Sequence, residues 1–187
     1  MCIRDREARD FEDAIRNAGA EWTVLRCAWF MQNFSEHFLT QPVLDGTIAL
    51  PASDTTEPFV DLDDVAEVAV AALTEPGHGG QTYDLSGPEL LSFHDIAREL
   101  SAGLGRDIGY LPITAAEYGA AALAAGVPEE EIAPLTDLFV RVLDGHNSTL
   151  SPDLARVLGR SPGRFADYVA RTVRTGVWTG ASVGAPT

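Results

Sequence analysis

The sequence predicts an α/β protein in which a parallel sheet flanked by helices is followed by a mostly helical C-terminal region. Short β-prone runs alternate with amphipathic helical patterns through about residue 113, and the pattern beyond that point is helical only. With 187 residues and 45% hydrophobic content, the chain is long enough to bury a substantial core.

The first helix and the first strand lie between residues 7 and 25. The apolar residues of the helix recur at three- and four-residue spacing and share one face: Phe11, Ala14, Ile15 and Ala18. Gly19 stands where this helix should end. The run Trp-Thr-Val-Leu at 22–25 predicts a core strand of a parallel sheet. Polar and aromatic residues follow at 26–33, at the strand end where open α/β sheets bind ligands.

The next segment predicts a helical or irregular stretch, a short strand and a helix. Phe30, Phe34 and Phe38 share one face of residues 29–39, a pattern more typical of a core than of a cofactor site. A strand is expected at 47–50, with residues 59–60 as its partner or lead-in. Asp61 is the expected N-cap of a helix that continues to about residue 74. The predicted buried face of that helix comprises Val65, Val68, Ala69, Ala72 and Leu73.

The remaining elements are predicted from capping and strand signals. Ser92 with Asp95 and Thr114 with Glu117 have the spacing of capping boxes, so each pair should begin a helix. The other expected elements are strands at 81–85 and 108–113, a helix at 129–143, and helix starts at the Ser-Pro pairs 151–152 and 161–162.

The composition excludes several classes of function. The formal net charge of −15 disfavours binding to nucleic acid or to an anionic membrane surface. All 13 basic residues are arginine, so a Schiff base, a P-loop or a Tyr-x-x-x-Lys dyad has no lysine to use. The two cysteines, Cys2 and Cys27, lie far apart and form no metal-binding motif, which favours a reducing cytoplasm and no metal site.

Acidic and histidine residues offer weaker alternatives. Asp61, Asp63 and Asp64 could suggest a cation site, but acids at the start of a helix are adequately explained by the helix dipole. The histidines occur singly, without partners at metal-ligand spacing, which favours surface or capping roles: His37, His78, His94 and His146.

Three segments carry a family resemblance. They read FEDAIRNAGAEWTVLRCAWFMQNF, then DGTIALP, then FVDLDDVAEVAVAALTEPGHGGQTYDLSGPELLSFHDIARELSAGLGRDIGY. Their order and spacing resemble the NmrA-like, atypical branch of the short-chain dehydrogenase/reductase family over about residues 7–178. The resemblance implies an NAD(P)H-dependent oxidoreductase that acts on a small quinone, azo or similar electrophile. The alternative is a non-catalytic NAD(P)-binding redox sensor of the same fold.

The resemblance also implies an incomplete fold. The glycine-rich turn that binds the cofactor phosphates in Rossmann domains does not occur in the sequence, so we expect a partial Rossmann-like sheet whose N-terminal strands are missing. The expected organisation is a non-native leader at 1–6, a Rossmann-like NAD(P)-binding part at 7–113, a helical substrate-side subdomain at 114–178 and a disordered tail at 179–187. Such a fragment should be inactive as given and expose an open sheet edge, which favours homo-oligomers or poor solubility.

The resemblance points to particular residues. The positions expected to contact the cofactor, NADP or NAD, are Cys27, Ala28, Trp29 and Asn33. Phe30 and His146 are the expected contacts of a small-molecule substrate. The alternative is a structural role, in which Cys27 and Trp29 pack in the core. Family members usually carry proline at the position of Cys27. The Tyr-x-x-x-Lys pair of the wider superfamily would fall near Arg4 and Ala8, and its absence agrees with the atypical branch, in which the pair is commonly absent, so no catalytic acid is assigned.

Overall fold

A computed structural model describes residues 3–52, 54–143 and 145–179. The predicted leader lies partly outside these residues, and the predicted tail lies outside them except for Thr179. The strands are β1 (Thr23–Cys27), β2 (Thr47–Leu50), β3 (Thr56–Glu57), β4 (Gln81–Leu85), β5 (Leu91–Ser92) and β6 (Gly109–Pro112). The helices are α1 (Ile3–Arg16), α2 (Thr40–Asp45), α3 (Leu62–Thr74), α4 (Phe93–Leu104), α5 (Ala115–Ala124), α6 (Glu129–Val142), α7 (Asp153–Leu158) and α8 (Phe165–Val173), with a short 3₁₀ helix at Met31–Phe34.

The strands form parallel and antiparallel pairs, which confirms the predicted α/β class. β1 pairs with β4 and β2 pairs with β6, both in parallel, while β3 and β5 form a short antiparallel pair. Of the two alternatives considered for residues 59–60, the pairing with β2 is wrong, since the partner of β2 is β6. Val60 instead forms a parallel bridge with Phe30, because its N–H donates to the carbonyl of Trp29 and its carbonyl accepts from Met31. None of the helices within the described residues is long and apolar enough to cross a membrane.

Helix α1 contacts β1 through the charged side chain of Glu12 and not through its apolar face. Phe11 is 73% exposed and Ile15 is 46% exposed, so the apolar face of this helix does not pack against the described residues. Glu12 is buried in their place because Arg26 of β1 donates two hydrogen bonds of 2.7 Å to its carboxylate. These hydrogen bonds hold the pKa of Glu12 at about 2.

Helix α3 begins as predicted but is rotated from the expected orientation. Asp61 caps it by accepting from the backbone N–H of Asp63. The buried residues within the helix are Asp64, Val68 and Ala71, whereas Leu73, predicted to be buried, is 86% exposed. The rotation follows from Asp64, whose carboxylate is directed inward to partners in the C-terminal part of the chain.

The main hydrophobic core surrounds Phe34, which is fully buried. The Phe34 ring contacts those of Phe59 and Phe165, with centroids 5.7 Å and 5.4 Å away. Two side chains near the C-terminus close over the same region: Tyr168 donates to Ser35 Oγ at 2.6 Å, and Trp178 Nε1 donates to the carbonyl of Phe34 at 2.7 Å. The core therefore joins the segment after β1 to helix α8.

Gly87 allows two backbone segments to approach closely just after β4. Its N–H donates to the carbonyl of Pro58 at 3.0 Å. A Cβ at this position would lie 1.9 Å from the carbonyl oxygen of Phe59, which is a rigid backbone atom. Only glycine fits here without moving one of the two segments.

We expect Gly87→Ala to destabilise the fold by about 3 kcal/mol because the new methyl group must displace the backbone near Phe59. Chemical denaturation measures this change. Gly109→Ala is the matched control, since its Cβ would lie 3.9 Å from the nearest atoms. Equal midpoints for the two variants would contradict the close approach.

Candidate functional site

The candidate site is the segment at residues 27–33, which begins at the last residue of β1 and is called the post-β1 segment. Its backbone is fixed on two sides. The N–H of Ala28 donates to the carbonyl of Leu85 at the end of β4, at 2.9 Å. The carbonyl of Trp29 accepts from Val60 at 2.8 Å. The segment therefore lies at the carboxyl ends of two parallel strands, the usual position of ligand sites in open α/β sheets.

The side chain of Trp29 packs into an aromatic cluster formed by Trp29, Phe38, Tyr118 and Phe139. Trp29 is 9% exposed and stacks on Phe139 of α6, with ring centroids 5.9 Å apart. Phe38 meets both rings edge-on, and Tyr118 of α5 lies 5.0 Å from Phe139. The packing role considered from the sequence thus describes the Trp29 ring, while its backbone remains part of the site wall.

Cys27, Ala28, Phe30 and Asn33 are half-buried, whereas Met31 and Gln32 are buried. Burial raises the pKa of the Cys27 thiol, so Cys27 is protonated at neutral pH and is a poor nucleophile. Ala28 and Phe30 pack beside the smaller core around Val60. Asn33 lies in the 3₁₀ helix, where its backbone N–H donates to the carbonyl of Phe30 at 3.2 Å. These predicted site residues lie together in the structure because they are only a few positions apart in the sequence.

His146, the other predicted substrate contact, lies in an exposed turn after α6. This turn is attached near β3, since the hydroxyl of Ser148 donates to the backbone carbonyl of Thr56. The turn and the post-β1 segment are linked through α6, whose Phe139 stacks on Trp29.

Asp61 connects three elements beside the site. Its carboxylate accepts from Gln32 Nε2 at 2.7 Å and from Arg171 Nη2 at 2.6 Å, besides the N–H that it caps. Gln32 in turn accepts from the N–H of Leu62 through its amide oxygen at 3.0 Å. Burial favours the neutral acid, but Arg171 and the other donors outweigh it and lower the pKa of Asp61.

Asp64 makes a second connection to the C-terminal part of the chain. It accepts from Arg160 Nη2 and from the backbone N–H of Gly163, each at 2.7 Å. Both buried aspartates at the start of α3 are therefore paired with arginines. No group of His, Cys, Asp and Glu within residues 3–52, 54–143 and 145–179 could hold a metal ion.

Sequence reasoning identified the acids but not their partners. Asp61 and Arg171 are 110 positions apart, and no local pattern pairs them. The sequence showed three acids at a helix start and several arginines near the C-terminus. This pattern does not indicate which acid pairs with which arginine.

Comparison with known proteins finds oxidoreductases. Agroclavine dehydrogenase from Claviceps fusiformis is 36% identical over 155 residues, which cover 81% of this chain and 54% of that protein. The NAD(P)H azoreductase from Xenophilus azovorans is 30% identical over 158 residues, which cover 84% and 54%. The chain thus spans about half the length of the curated relatives it matches. No protein-family model matches it.

Solved structures show the same fold. The Citrobacter sp. triphenylmethane reductase complexed with NADP(H) superposes with a TM-score of 0.75 at 27% identity, covering 86% of this chain and 56% of that one. NmrA, a negative transcriptional regulator in complex with NADP, superposes with a TM-score of 0.63 at 14% identity, covering 92% and 58%. The chain therefore has the fold of a part of the Rossmann-like reductases.

Asp61→Asn should lower the free energy of unfolding at neutral pH by about 2 kcal/mol, because the amide keeps the cap but loses the charged bond to Arg171. The folded pKa of Asp61 is lowered, so its stabilising effect is complete above the unfolded value of about 3.9 and is lost as the pH falls through the folded value. Denaturation across the acid range should show the difference between wild type and variant shrinking at low pH.

Asp63→Asn is the control, since Asp63 is 73% exposed and lies 3.3 Å from the same arginine. It should change stability by less than about 0.5 kcal/mol. A similar loss in both variants, or a loss in Asp61→Asn that persists at low pH, would refute the role assigned to Asp61.

Proposed function

We propose that this chain supplies the nicotinamide side and the substrate side of an NAD(P)H-dependent oxidoreductase that reduces a small quinone, azo or similar electrophile. The observation that carries the proposal is the position of the post-β1 segment at the carboxyl ends of β1 and β4. The relatives that act as an azoreductase and as a triphenylmethane reductase support the substrate class.

The segment suits one end of the cofactor. A nicotinamide ring needs a largely apolar wall and polar groups for its carboxamide. Cys27 and Ala28 offer the half-buried wall, the side-chain amide of Asn33 offers the polar group, and Phe30 is left to contact the electrophile. Trp29 supports this wall from behind, because its ring packs against Phe139. The 187-residue sequence contains no G-x-G-x-x-G turn, so the phosphates would require residues beyond those present here.

The bound cofactor would supply the hydride. The residues of this chain would place the ring, exclude water through the aromatic cluster, and hold the electrophile against it. Helices α5 and α6 lie on the substrate side in this proposal, with His146 at the far end of α6. We assign no proton donor, since the protonated Cys27 lies on the cofactor wall and the chain has no lysine for a Tyr-x-x-x-Lys dyad.

A non-catalytic NAD(P)-binding redox sensor is the second candidate. A sensor requires no proton donor, and no proton donor is assigned in this chain. The fold shared with NmrA is compatible with this role.

A chimera tests both candidates. Residues 7–178 would replace the matching stretch of the Xenophilus azovorans azoreductase, and NADPH oxidation would be followed with menadione and with a soluble azo dye. We expect turnover. NADPH binding without turnover would favour the sensor, and the absence of NADPH binding by a folded chimera would refute both functions.

Within the chimera, Asn33→Ala should lower kcat/KM about tenfold, equivalent to about 1.4 kcal/mol of lost transition-state stabilisation, because the carboxamide loses its polar partner. Asn17→Ala is the matched control: its amide is exposed and donates to the Asp13 carbonyl of α1. The control should leave kcat/KM within about twofold. Equal effects of the two substitutions would remove Asn33 from the site.

A further inference from the structure

The side chain of Gln32 is held at both of its polar atoms. Gln32 is 8% exposed, and its amide connects the 3₁₀ helix to the start of α3. Its Nε2 donates to Asp61 Oδ1 at 2.7 Å, and its Oε1 accepts from the backbone N–H of Leu62 at 3.0 Å. A buried amide with these two bonds is fixed in place, because breaking either bond would leave a buried polar atom without a partner.

The two partners also determine which way the amide points. The ionised carboxylate of Asp61 can only accept a hydrogen bond, and the N–H of Leu62 can only donate one. Nε2 must therefore lie against Asp61, and Oε1 must lie against Leu62. A methionine at this position would make neither bond, and an ionised glutamate could not donate to Asp61.

The backbone of Gln32 supports the 3₁₀ helix on which Asn33 lies. The carbonyl of Gln32 accepts from the N–H of Ser35 at 3.0 Å and from that of Glu36 at 2.9 Å. Phe30, the residue before this helix, makes no side-chain cap bond. Short 3₁₀ helices have poor hydrogen-bond geometry of their own, so the placement of this one depends on tertiary contacts.

Asn33 is the residue of the 3₁₀ helix that reaches the surface. It is half-buried, whereas Met31, Gln32 and Phe34 are buried. The apolar packing of Met31 and Phe34 has no preferred direction, but the hydrogen bonds of Gln32 do. A rotation of the helix that released Gln32 would therefore also turn the side chain of Asn33.

We propose that Gln32 is a positioning residue, whose two side-chain hydrogen bonds fix the direction of the Asn33 amide in the nicotinamide site. The statement about nicotinamide rests on the proposed function, whereas the fixing of Asn33 does not. The bond from Arg171 to Asp61 completes this support, since it holds the carboxylate that Gln32 binds. Gln32 acts through Asn33 and touches neither the cofactor nor the electrophile.

A double-mutant cycle in the chimera of residues 7–178 separates positioning from a general effect on packing. Gln32→Met keeps the unbranched shape of the side chain and removes both hydrogen bonds. Alone, it should lower kcat/KM for NADPH and menadione about fivefold. In the Asn33→Ala background, the same substitution should change kcat/KM by less than about twofold, because the group that Gln32 positions is absent.

Two kinetic results would overturn the proposal. One is an equal loss from Gln32→Met with and without Asn33→Ala, which would mean that Gln32 does not act through Asn33. The other is an unchanged kcat/KM in folded Gln32→Met alone.

Gln32→Glu gives a second readout, because a protonated carboxyl can donate to Asp61 and an ionised one cannot. Arg171 keeps Asp61 ionised, and Asp63 lies 3.3 Å from the same arginine. The charge of Asp61 should therefore raise the pKa of the introduced carboxyl. We expect kcat/KM near the unsubstituted value at acid pH and a loss as the pH rises through this raised pKa.

Gln41→Glu is the matched control for the pH profile. Gln41 is exposed, and its Nε2 also donates to an aspartate, Asp45, at 2.7 Å. Its profile should follow that of the unsubstituted chimera. A Gln32→Glu profile that runs parallel to the control would contradict the role of Gln32 as a donor to Asp61.

A third measurement requires no turnover. In the 187-residue chain, NMR-detected exchange of the Asn33 N–H, which donates to the carbonyl of Phe30, should be at least about tenfold faster in Gln32→Met than in Gln41→Met. Equal exchange in the two folded variants would overturn the proposal. If Gln32→Met does not fold, the exchange rate of Gln32→Glu relative to Gln41→Glu, at acid and at neutral pH, provides the same comparison.

The failure of this proposal is distinguishable from that of the reductase function. A folded chimera without NADPH oxidation would refute the reductase, and the exchange of the Asn33 N–H would still decide whether Gln32 fixes Asn33. Turnover with additive losses in the double-mutant cycle would leave the reductase in place and remove Gln32 as a positioning residue.

Discussion

The structure depends on two buried carboxylates at the start of α3. Asp61 and Asp64 hold the C-terminal arginines Arg171 and Arg160, and Asp61 also binds Gln32 beside the post-β1 segment. A buried carboxylate is costly unless donors surround it, so the helix can occupy this rotation only when the C-terminal part of the chain is in place. The same contacts that satisfy the acids therefore fix the candidate site relative to α8.

Aromatic packing extends this arrangement to the substrate side. Phe34 joins the 3₁₀ helix to α8 in the main core, and Trp29, five residues earlier, joins the same segment to α6. One short stretch after β1 thus contacts both C-terminal helical regions. Such a stretch transmits small shifts of either helix to residues 27–33, since packed cores deform little.

Local signals in the sequence predicted the local structure well. The N-cap at Asp61 and the capping boxes at Ser92 and Thr114 occur as expected, because each depends on atoms within a few residues. The orientation of helices was harder to predict. Leu73 is exposed because Asp64, a residue that a hydrophobic pattern places outside, is drawn inward by Arg160. The site segment itself was predictable as a strand end, whereas the stacking of Trp29 on Phe139 depends on tertiary packing that no spacing rule encodes.

One outward-facing peptide group of β4 is already occupied. The N–H of Asp84 donates to the carboxylate of Asp153 in α7 at 2.9 Å. A strand that adds to a sheet edge needs the peptide groups of that edge to be free. Asp153 therefore disfavours the pairing of another strand with β4 at Asp84, which is one way in which folded proteins avoid aggregation through a sheet edge.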